Sequence, residues 1–344
     1  MDYKICWLTL NRACNLRCKW CYAKSTHFNC ADDITLEMAK QIVDICKDLN
    51  INRIALIGGE PTLYPQLPQI IEYIKSNNMG CGIITNGVKL EDKAYLQELM
   101  DVGVKSFSIS LKGENKTAFK QVTGFDCYEK VKKGITNCIE NNIDVSVSMV
   151  LTEENIETFL EGIIDMKKLG VKNFHLSFCY ELDTSCDYKA YLKTNNPKKL
   201  INNFVKIYNE LDEVTEHNFT LFQGYPLCLW DKNVLELMDE KNQLTTICQL
   251  LNRDGLIFDS KGYLIPCNAM PNIKLGRLNE DFCTAEELLQ YSNQADFIAV
   301  YDKLCGLPSK DCLKCEDLAN CGGGCVCQWS NYSYSELLQK ENVL

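Results

Sequence analysis

The chain has 344 residues, 46% of them hydrophobic and 24% charged, and its 36 basic and 46 acidic side chains leave a net charge of −10. That is the composition of a globular protein of about two domains. It excludes a disordered tail, a collagen and a coiled-coil rod, and an acidic chain is a poor general nucleic-acid binder. No run of 18 apolar residues is present, and Met1-Asp2-Tyr3-Lys4 lacks the basic end and apolar stretch of a signal peptide. A cytoplasmic protein with no membrane or nucleic-acid partner is expected.

The first half alternates strand and helix patterns. Ile5–Leu10 reads as a buried strand, and Thr35 caps a helix whose Leu36, Ala39, Ile42, Val43, Cys46 and Leu49 share a face. Strands follow at Arg53–Ile57, Cys81–Thr85, Ser106–Leu111, Val145–Leu151 and Phe174–Phe178. Between them lie helices around Leu67–Ile74, Leu90–Met100, Tyr128–Asn141 and Ile156–Leu169. Six such units in series require parallel strands with helical crossovers, in a doubly wound sheet or a partial barrel. Residues 182–245 are mixed and helix-biased, with Leu200–Leu211 the clearest helix. Leu256-Ile257-Phe258 and Tyr263-Leu264-Ile265 flank Asp259-Ser260-Lys261-Gly262 as a β-hairpin. Beyond it, cysteines and glycine-rich turns replace apolar periodicity, so metal ligation is the expected source of order. Residues 331–344 read as a short helical or frayed tail.

The 21 cysteines are an odd number in a long chain. A disulfide scaffold would be short, secreted and usually even-numbered, so clustered cysteines here point to metal. Cys14, Cys18 and Cys21 follow the first strand, in Asn11-Arg12-Ala13-Cys14-Asn15-Leu16-Arg17-Cys18-Lys19-Trp20-Cys21-Tyr22. Three thiolates on a four-iron cube leave one iron open, as a catalytic site requires. The alternative is a structural zinc site with His27 or Cys30 as fourth ligand. Gly58-Gly59-Glu60-Pro61 follows the second strand. Its glycines allow a ligand close to the backbone, and Glu60 can accept a hydrogen bond from an ammonium group.

This arrangement resembles the radical S-adenosylmethionine (SAM) superfamily, whose C-x3-C-x-φ-C signature is matched with Trp20 as the aromatic. The resemblance covers residues 4 to about 180. It implies that Cys14, Cys18 and Cys21 hold a [4Fe–4S] cluster whose open iron chelates SAM, and that one electron releases a 5′-deoxyadenosyl radical that takes hydrogen from an unactivated C–H bond. It places Trp20, Tyr22, Gly58, Gly59, Glu60, Thr85, Asn86, Ser108 and Ser110 around the cofactor, with Asn155 a weaker candidate. Lys112 stands where many relatives carry an acid, which leaves the ribose contact open; it meets either solvent or the SAM carboxylate. Motifs after four successive strands need a curved array, so the expected fold is α/β, a partial (βα)6 barrel over residues 1–181.

Cys248, Gly262, Cys267, Cys312, Cys315, Cys321 and Cys325 match the spacing of the SPASM extension of this superfamily. The expected organisation is a bridging, mainly helical segment at 182–245, a SPASM iron–sulfur domain at 246–330 and a tail. Within the family Cys248, Cys267 and Cys325 hold auxiliary cluster I, and Cys312, Cys315 and Cys321 hold auxiliary cluster II. The seventh cysteine departs from the pattern: Cys327 could complete cluster II, or a non-cysteine ligand could, while Cys283 and Cys305 are unassigned and could ligate cluster I. A zinc ribbon is the alternative for this region.

The resemblance implies a maturase that crosslinks, oxidises or epimerises a ribosomally made peptide, with a flavodoxin- or ferredoxin-type electron donor. Only 13 residues precede Cys14, so a separate precursor-recognition protein, or none, is expected. Asn268 follows Cys267 where sulfatase maturases carry an Asp. A sulfatase-maturase-like or small-molecule radical SAM dehydrogenase is the second reading, and a non-catalytic iron–sulfur scaffold the third. Of Cys127, Cys179, Cys186 and Cys228, Cys179 is the best-placed hydrogen-atom donor, against a plain buried thiol; His175 reads as a structural residue. A few aromatics among Tyr188, Tyr191, Phe204, Tyr208, Phe219, Phe222, Tyr225 and Trp230 would suit a groove wall, most of them being core.

Overall fold

A computed structural model describes residues 2–26, 28–29, 31–179, 197–246 and 248–329. Its strands are β1 (Ile5–Thr9), β2 (Arg53–Ile57), β3 (Gly80–Thr85), β4 (Ser106–Leu111), β5 (Asp144–Leu151) and β6 (Asn173–Phe178), each within a residue of its expected span. The crossovers are α1 (Leu36–Asp48), α2 (Leu67–Ser76), α3 (Lys93–Asp101), α4 (Lys116–Thr123), α5 (Tyr128–Glu140) and α6 (Phe159–Lys168).

The helix boundaries follow local polar chemistry. Thr35 caps α1 by accepting from the Met38 amide. The helix expected at Leu90–Met100 is divided, because Asp92 accepts from the Ala94 and Tyr95 amides and starts α3 afresh after a 3-10 turn at Val88–Glu91. Helix α4 was not expected; Asn115 caps it and Gly124, at φ +77°, ends it. Helix α6 begins at Phe159 rather than Ile156, since Asn155 binds the Thr152 amide and the Val150 carbonyl and holds that loop as a turn. The Asn155 side chain thus staples its own loop.

Strand order is β1 to β6 in sequence, all parallel. Residues 182–245 depart from expectation. The described part, α7 (Pro197–Val214), β7 (Phe219–Phe222), α8 (Lys232–Glu240) and β8 (Leu244–Thr245), is mainly helical but adds two more parallel strands beside β6. Phe204, Tyr208, Phe219, Tyr225 and Trp230 are buried. Phe204 meets Phe178, Phe219 and Trp230 ring to ring. These five are core rather than groove wall. Phe222 is half-buried, and Tyr188, Tyr191 and Cys186 lie outside the described residues.

The expected hairpin is present as β9 (Gly255–Phe258) and β10 (Tyr263–Leu264), joined through a turn with Gly262 at φ +78° and extended by β11 (Gly276–Arg277). Its placement was not legible in the sequence: β9 pairs in parallel with β1, Cys6 opposite Leu256 and Leu8 opposite Phe258. The cysteine-rich region is therefore built onto the sheet beside the strand that leads into Cys14. Helices α9 (Ala285–Ser292) and α10 (Ala295–Leu304) pack beyond it. Among the described residues no helix is long and apolar enough to cross a membrane.

Candidate active site

The loop after β1 lies against the loop after β2. The Gly59 amide donates to the Asn11 carbonyl at 2.9 Å, the Glu60 amide to the Ala13 carbonyl at 2.8 Å, and Asn11 Nδ2 to the Glu60 carbonyl at 2.9 Å. A Cβ at Gly59 would stand 2.2 Å from the Arg12 carbonyl oxygen, and one at Gly58 2.1 Å from Asn11 Oδ1. The two glycines are thus required by the packing of one loop on the other, and both also line the cavity described below. On its far side the cysteine loop is tied to the end of α4, Arg17 and Lys19 amides donating to the Thr123 and Val122 carbonyls.

Glu60 is buried, and its carboxylate is held by four donors of the protein. Oε1 accepts from the Thr62 amide (3.1 Å), Thr62 Oγ1 (2.7 Å) and Thr85 Oγ1 (2.6 Å), and Oε2 from the Asn86 amide (2.7 Å). Four donors take up most of the lone-pair capacity of one carboxylate. Glu60 thereby joins the ends of β2 and β3, and it also lines the cavity, where Oε2 accepts a single hydrogen bond. Asn86 continues the network, Nδ2 donating to Asn15 Oδ1 at 2.7 Å beside Cys14.

Cys14, Cys18, Trp20, Cys21, Tyr22, Gly58, Gly59, Glu60, Thr85, Asn86 and Ser110 line one cavity of about 250 Å³, with Lys112, Val150, Phe178 and Cys179 completing its wall. Its strand residues run from Ile57 on β2 to Phe178 on β6. Flat, those strands would lie about 19 Å apart, so the sheet curves around the cavity. Ser108 lies on the same face of β4, one pleat away from Ser110, and does not line it. Trp20 packs with Val122 and Cys179, and Tyr22, Val150 and Ala269 close over them; Ala269 comes from the cysteine-rich region. His175 bonds Thr220 Oγ1 through Nδ1 at 2.7 Å, the structural hydrogen bond expected of it.

The donor set suits an anionic iron–sulfur cluster. Burial pushes the Cys14 thiol up to about 12 and Cys18 to about 11, and raises Cys21, so these groups need cationic company to ionise. Lys112 faces Cys18 and Cys21, and Arg12, 5% exposed, faces Cys21. Neither cation has an ion pair among the described residues. Trp20 Nε1 is buried against the cavity without a hydrogen-bond partner. No three His, Cys, Asp or Glu among the described residues converge on a single ion. A four-iron cube binds each thiolate at a separate iron, so its ligands stand farther apart than those around one zinc. His27 and Cys30 lie outside the described residues.

In the cysteine-rich region Cys327 hydrogen-bonds Cys267 and Cys325; the contact lowers Cys267 and raises Cys327. Burial, then the charges of Cys325 and Cys267, raise Cys248 to about 11. Cys327 thus falls in with Cys248, Cys267 and Cys325, and of the two alternatives for cluster II this favours a ligand other than Cys327. Cys312, Cys315 and Cys321 lie on the 3-10 turn Lys310–Lys314 and the helical turn Leu318–Cys321. Cys283 is exposed, and Cys305 Sγ points at the Leu250 carbonyl 3.6 Å away.

Residues 8–166 match the family model described as the Radical SAM superfamily. Curated relatives include a GTP 3′,8-cyclase of Clostridium perfringens, 31% identical over 170 residues, covering 48% of this chain and 51% of that protein. A probable GTP 3′,8-cyclase of Saccharolobus islandicus is 30% identical over 175 residues, covering 49% and 54%. The match spans about half the length of these relatives. Among solved structures, SuiB of Streptococcus suis bound to precursor peptide SuiA has a TM-score of 0.72 at 16% identity, covering 94% of this chain and 72% of that one. anSMEcpe with bound AdoMet and Kp18Cys peptide has a TM-score of 0.70 at 17% identity, covering 98% and 96%. These structural likenesses concern the fold.

Proposed function

We propose that this chain, a radical SAM enzyme by its domain over residues 8–166, acts on a peptide laid across the mouth of the cavity. Such an enzyme uses a [4Fe–4S] cluster and SAM, which together supply one-electron cleavage of the cofactor and abstraction of hydrogen from an unactivated C–H bond. Cys14, Cys18 and Cys21 would hold the cluster. Arg12 and Lys112 would balance its charge, and Lys112 is free to meet a carboxylate at the cavity wall. Glu60, through Thr62, Thr85 and Asn86, holds the ends of β2 and β3 in register with the cysteine loop. Trp20, Phe178, Val150 and Cys179 form an apolar wall that excludes water.

The observation that carries the peptide reading is the charge of the site. Lys112 is the sole cation among the described lining residues, and the polar pairs on the same strands, Ser110 with Ser148 and His175 with Thr220, add no Arg or Lys. A triphosphate substrate such as that named for the curated relatives would call for several Arg or Lys side chains. A neutral or basic peptide needs none, and the net charge of −10 favours it. The likeness to SuiB and anSMEcpe over nearly the whole chain supports the same reading, while the cyclase match is confined to about half of it. An electron donor of flavodoxin or ferredoxin type is part of the proposal.

The test is anaerobic co-expression with each short peptide encoded nearby, read by mass, beside incubation of the purified enzyme with GTP. Loss of two hydrogens from a peptide means a crosslink or oxidation, and solvent deuterium uptake alone means epimerisation. Turnover of GTP with every peptide unchanged overturns the peptide reading. In either assay the Cys14→Ala/Cys18→Ala/Cys21→Ala variant should form no 5′-deoxyadenosine.

A further inference from the structure

The cysteine trio Cys312, Cys315 and Cys321 lacks a fourth partner in its own stretch of sequence, and Cys327 has turned to Cys267 and Cys325. Another part of the chain packs against this trio. After β7 the segment 223–228 lies directly on the turn at 321–325. The Cys325 amide donates to the Gly224 carbonyl at 2.6 Å, and buried Gln223 donates through Nε2 to the Cys321 carbonyl at 3.2 Å. Gly324 permits this approach: a Cβ there would meet the Gly224 carbonyl oxygen at 2.8 Å and Pro226 N at 2.9 Å. The Leu227 amide then donates to Cys321 Sγ at 3.3 Å, and Gln223 Nε2 reaches the same sulfur at 3.5 Å. Two N–H groups aimed at one sulfur suit a thiolate better than a thiol.

The next residue along the 3-10 turn Leu227–Leu229 is Cys228. It stands directly after the residue whose amide meets Cys321 Sγ, and it is exposed. The Leu227 contact with Cys321 Sγ therefore brings Cys228 up beside this trio. We infer that Cys228 is the fourth ligand of the auxiliary cluster held by Cys312, Cys315 and Cys321. The inference rests on the reading that this region binds auxiliary iron–sulfur clusters. It has a structural consequence: the cluster would join the barrel's β7–α8 connection to the cysteine-rich region, 84 or more residues away along the chain (312 − 228 = 84).

The experiment uses the iron-loaded full chain under anaerobic conditions. Light iodoacetamide labels accessible thiols; the protein is then unfolded with chelator and the remainder labelled heavy, each cysteine being read by mass. Cys283 and Cys228 are both exposed, so without a metal bond both label light. The expected result is that Cys283 labels light while Cys228 reacts about tenfold or more slowly and labels heavy with Cys312, Cys315 and Cys321, because a bound thiolate is not a free nucleophile. Light Cys228 with heavy Cys312, Cys315 and Cys321 overturns the assignment in favour of an aspartate or water ligand. If all four label light, the auxiliary-cluster reading fails and the assignment falls with it. A second measurement is electron paramagnetic resonance after mild oxidation. The Cys228→Ser variant should gain a three-iron signal that Cys283→Ser lacks, and a spectrum identical to the parent's counts against Cys228.

Discussion

The carboxylate of Glu60 shows how much of a site can be invested in holding shape. Three donors meet Oε1 and one meets Oε2, all from loops that carry the cavity wall. In Glu60→Gln one acceptor becomes a donor facing another donor, with Asn86 N–H the natural loser. The expected cost is about 1–3 kcal/mol of stability, since a buried donor left unpaired forfeits its hydration without replacement. Thermal or urea unfolding checks it, and anaerobic 5′-deoxyadenosine yield should fall in parallel. A variant as stable and active as the parent would mean the network is ornamental. The Gly-Gly-Glu-Pro motif was visible in the sequence, but its contacts within the protein were not. Which groups the glycines and the acid touch depends on a loop 46 residues earlier (Cys14 to Glu60).

At the scale of elements, Asp212 near the end of α7 joins the helix to the turn before β8. Burial alone would raise its carboxyl; hydrogen bonds from Lys241, Gln243 and His217 overcome that and hold it below the usual carboxylate range. A depressed folded value means the contribution to stability is complete above the unfolded value of about 3.9 and disappears as pH falls through the folded one. Asp212→Asn should therefore lose about 1–3 kcal/mol at neutral pH, and the gap between variant and parent should close below about pH 4, read from urea midpoints across pH. An unchanged gap at pH 3 would argue against the ion pair. This part of the chain was also the least legible. Its short strands, of four and two residues, carry too few positions for a period-2 pattern.

A second prediction at this scale concerns β9. Leu256 is fully buried opposite Cys6 on β1. Leu256→Ala should cost about 2–5 kcal/mol. Because β9 is a strand of the same sheet, the loss should appear as a lower midpoint of one unfolding transition, whereas an independently folding module would melt in a step of its own.

For the molecule as a whole, the reading is three iron–sulfur centres, one within the barrel and two in the cysteine-rich region. The Cys14→Ala/Cys18→Ala/Cys21→Ala variant should retain roughly eight irons if both auxiliary centres are cubanes and fewer if one is [2Fe–2S]. Iron and sulfide analysis decides it, and zinc without residual iron would restore the zinc-ribbon alternative.

The amino-acid sequence by itself determined the parallel βα series, because apolar runs flanked by caps and glycines report local burial whatever the fold around them. It determined the cysteine loop and the hairpin as well, since ligand spacing and turn chemistry are local properties. Only the tertiary structure decided that β9 adds to the sheet beside β1, that Glu60 accepts from four protein donors, and that Cys327 meets Cys267 and Cys325 while the segment carrying Cys228 packs on Cys321. Each of these is a contact between segments tens to hundreds of residues apart. Such contacts are set by strand order and loop packing, and no short-range pattern along the chain encodes them.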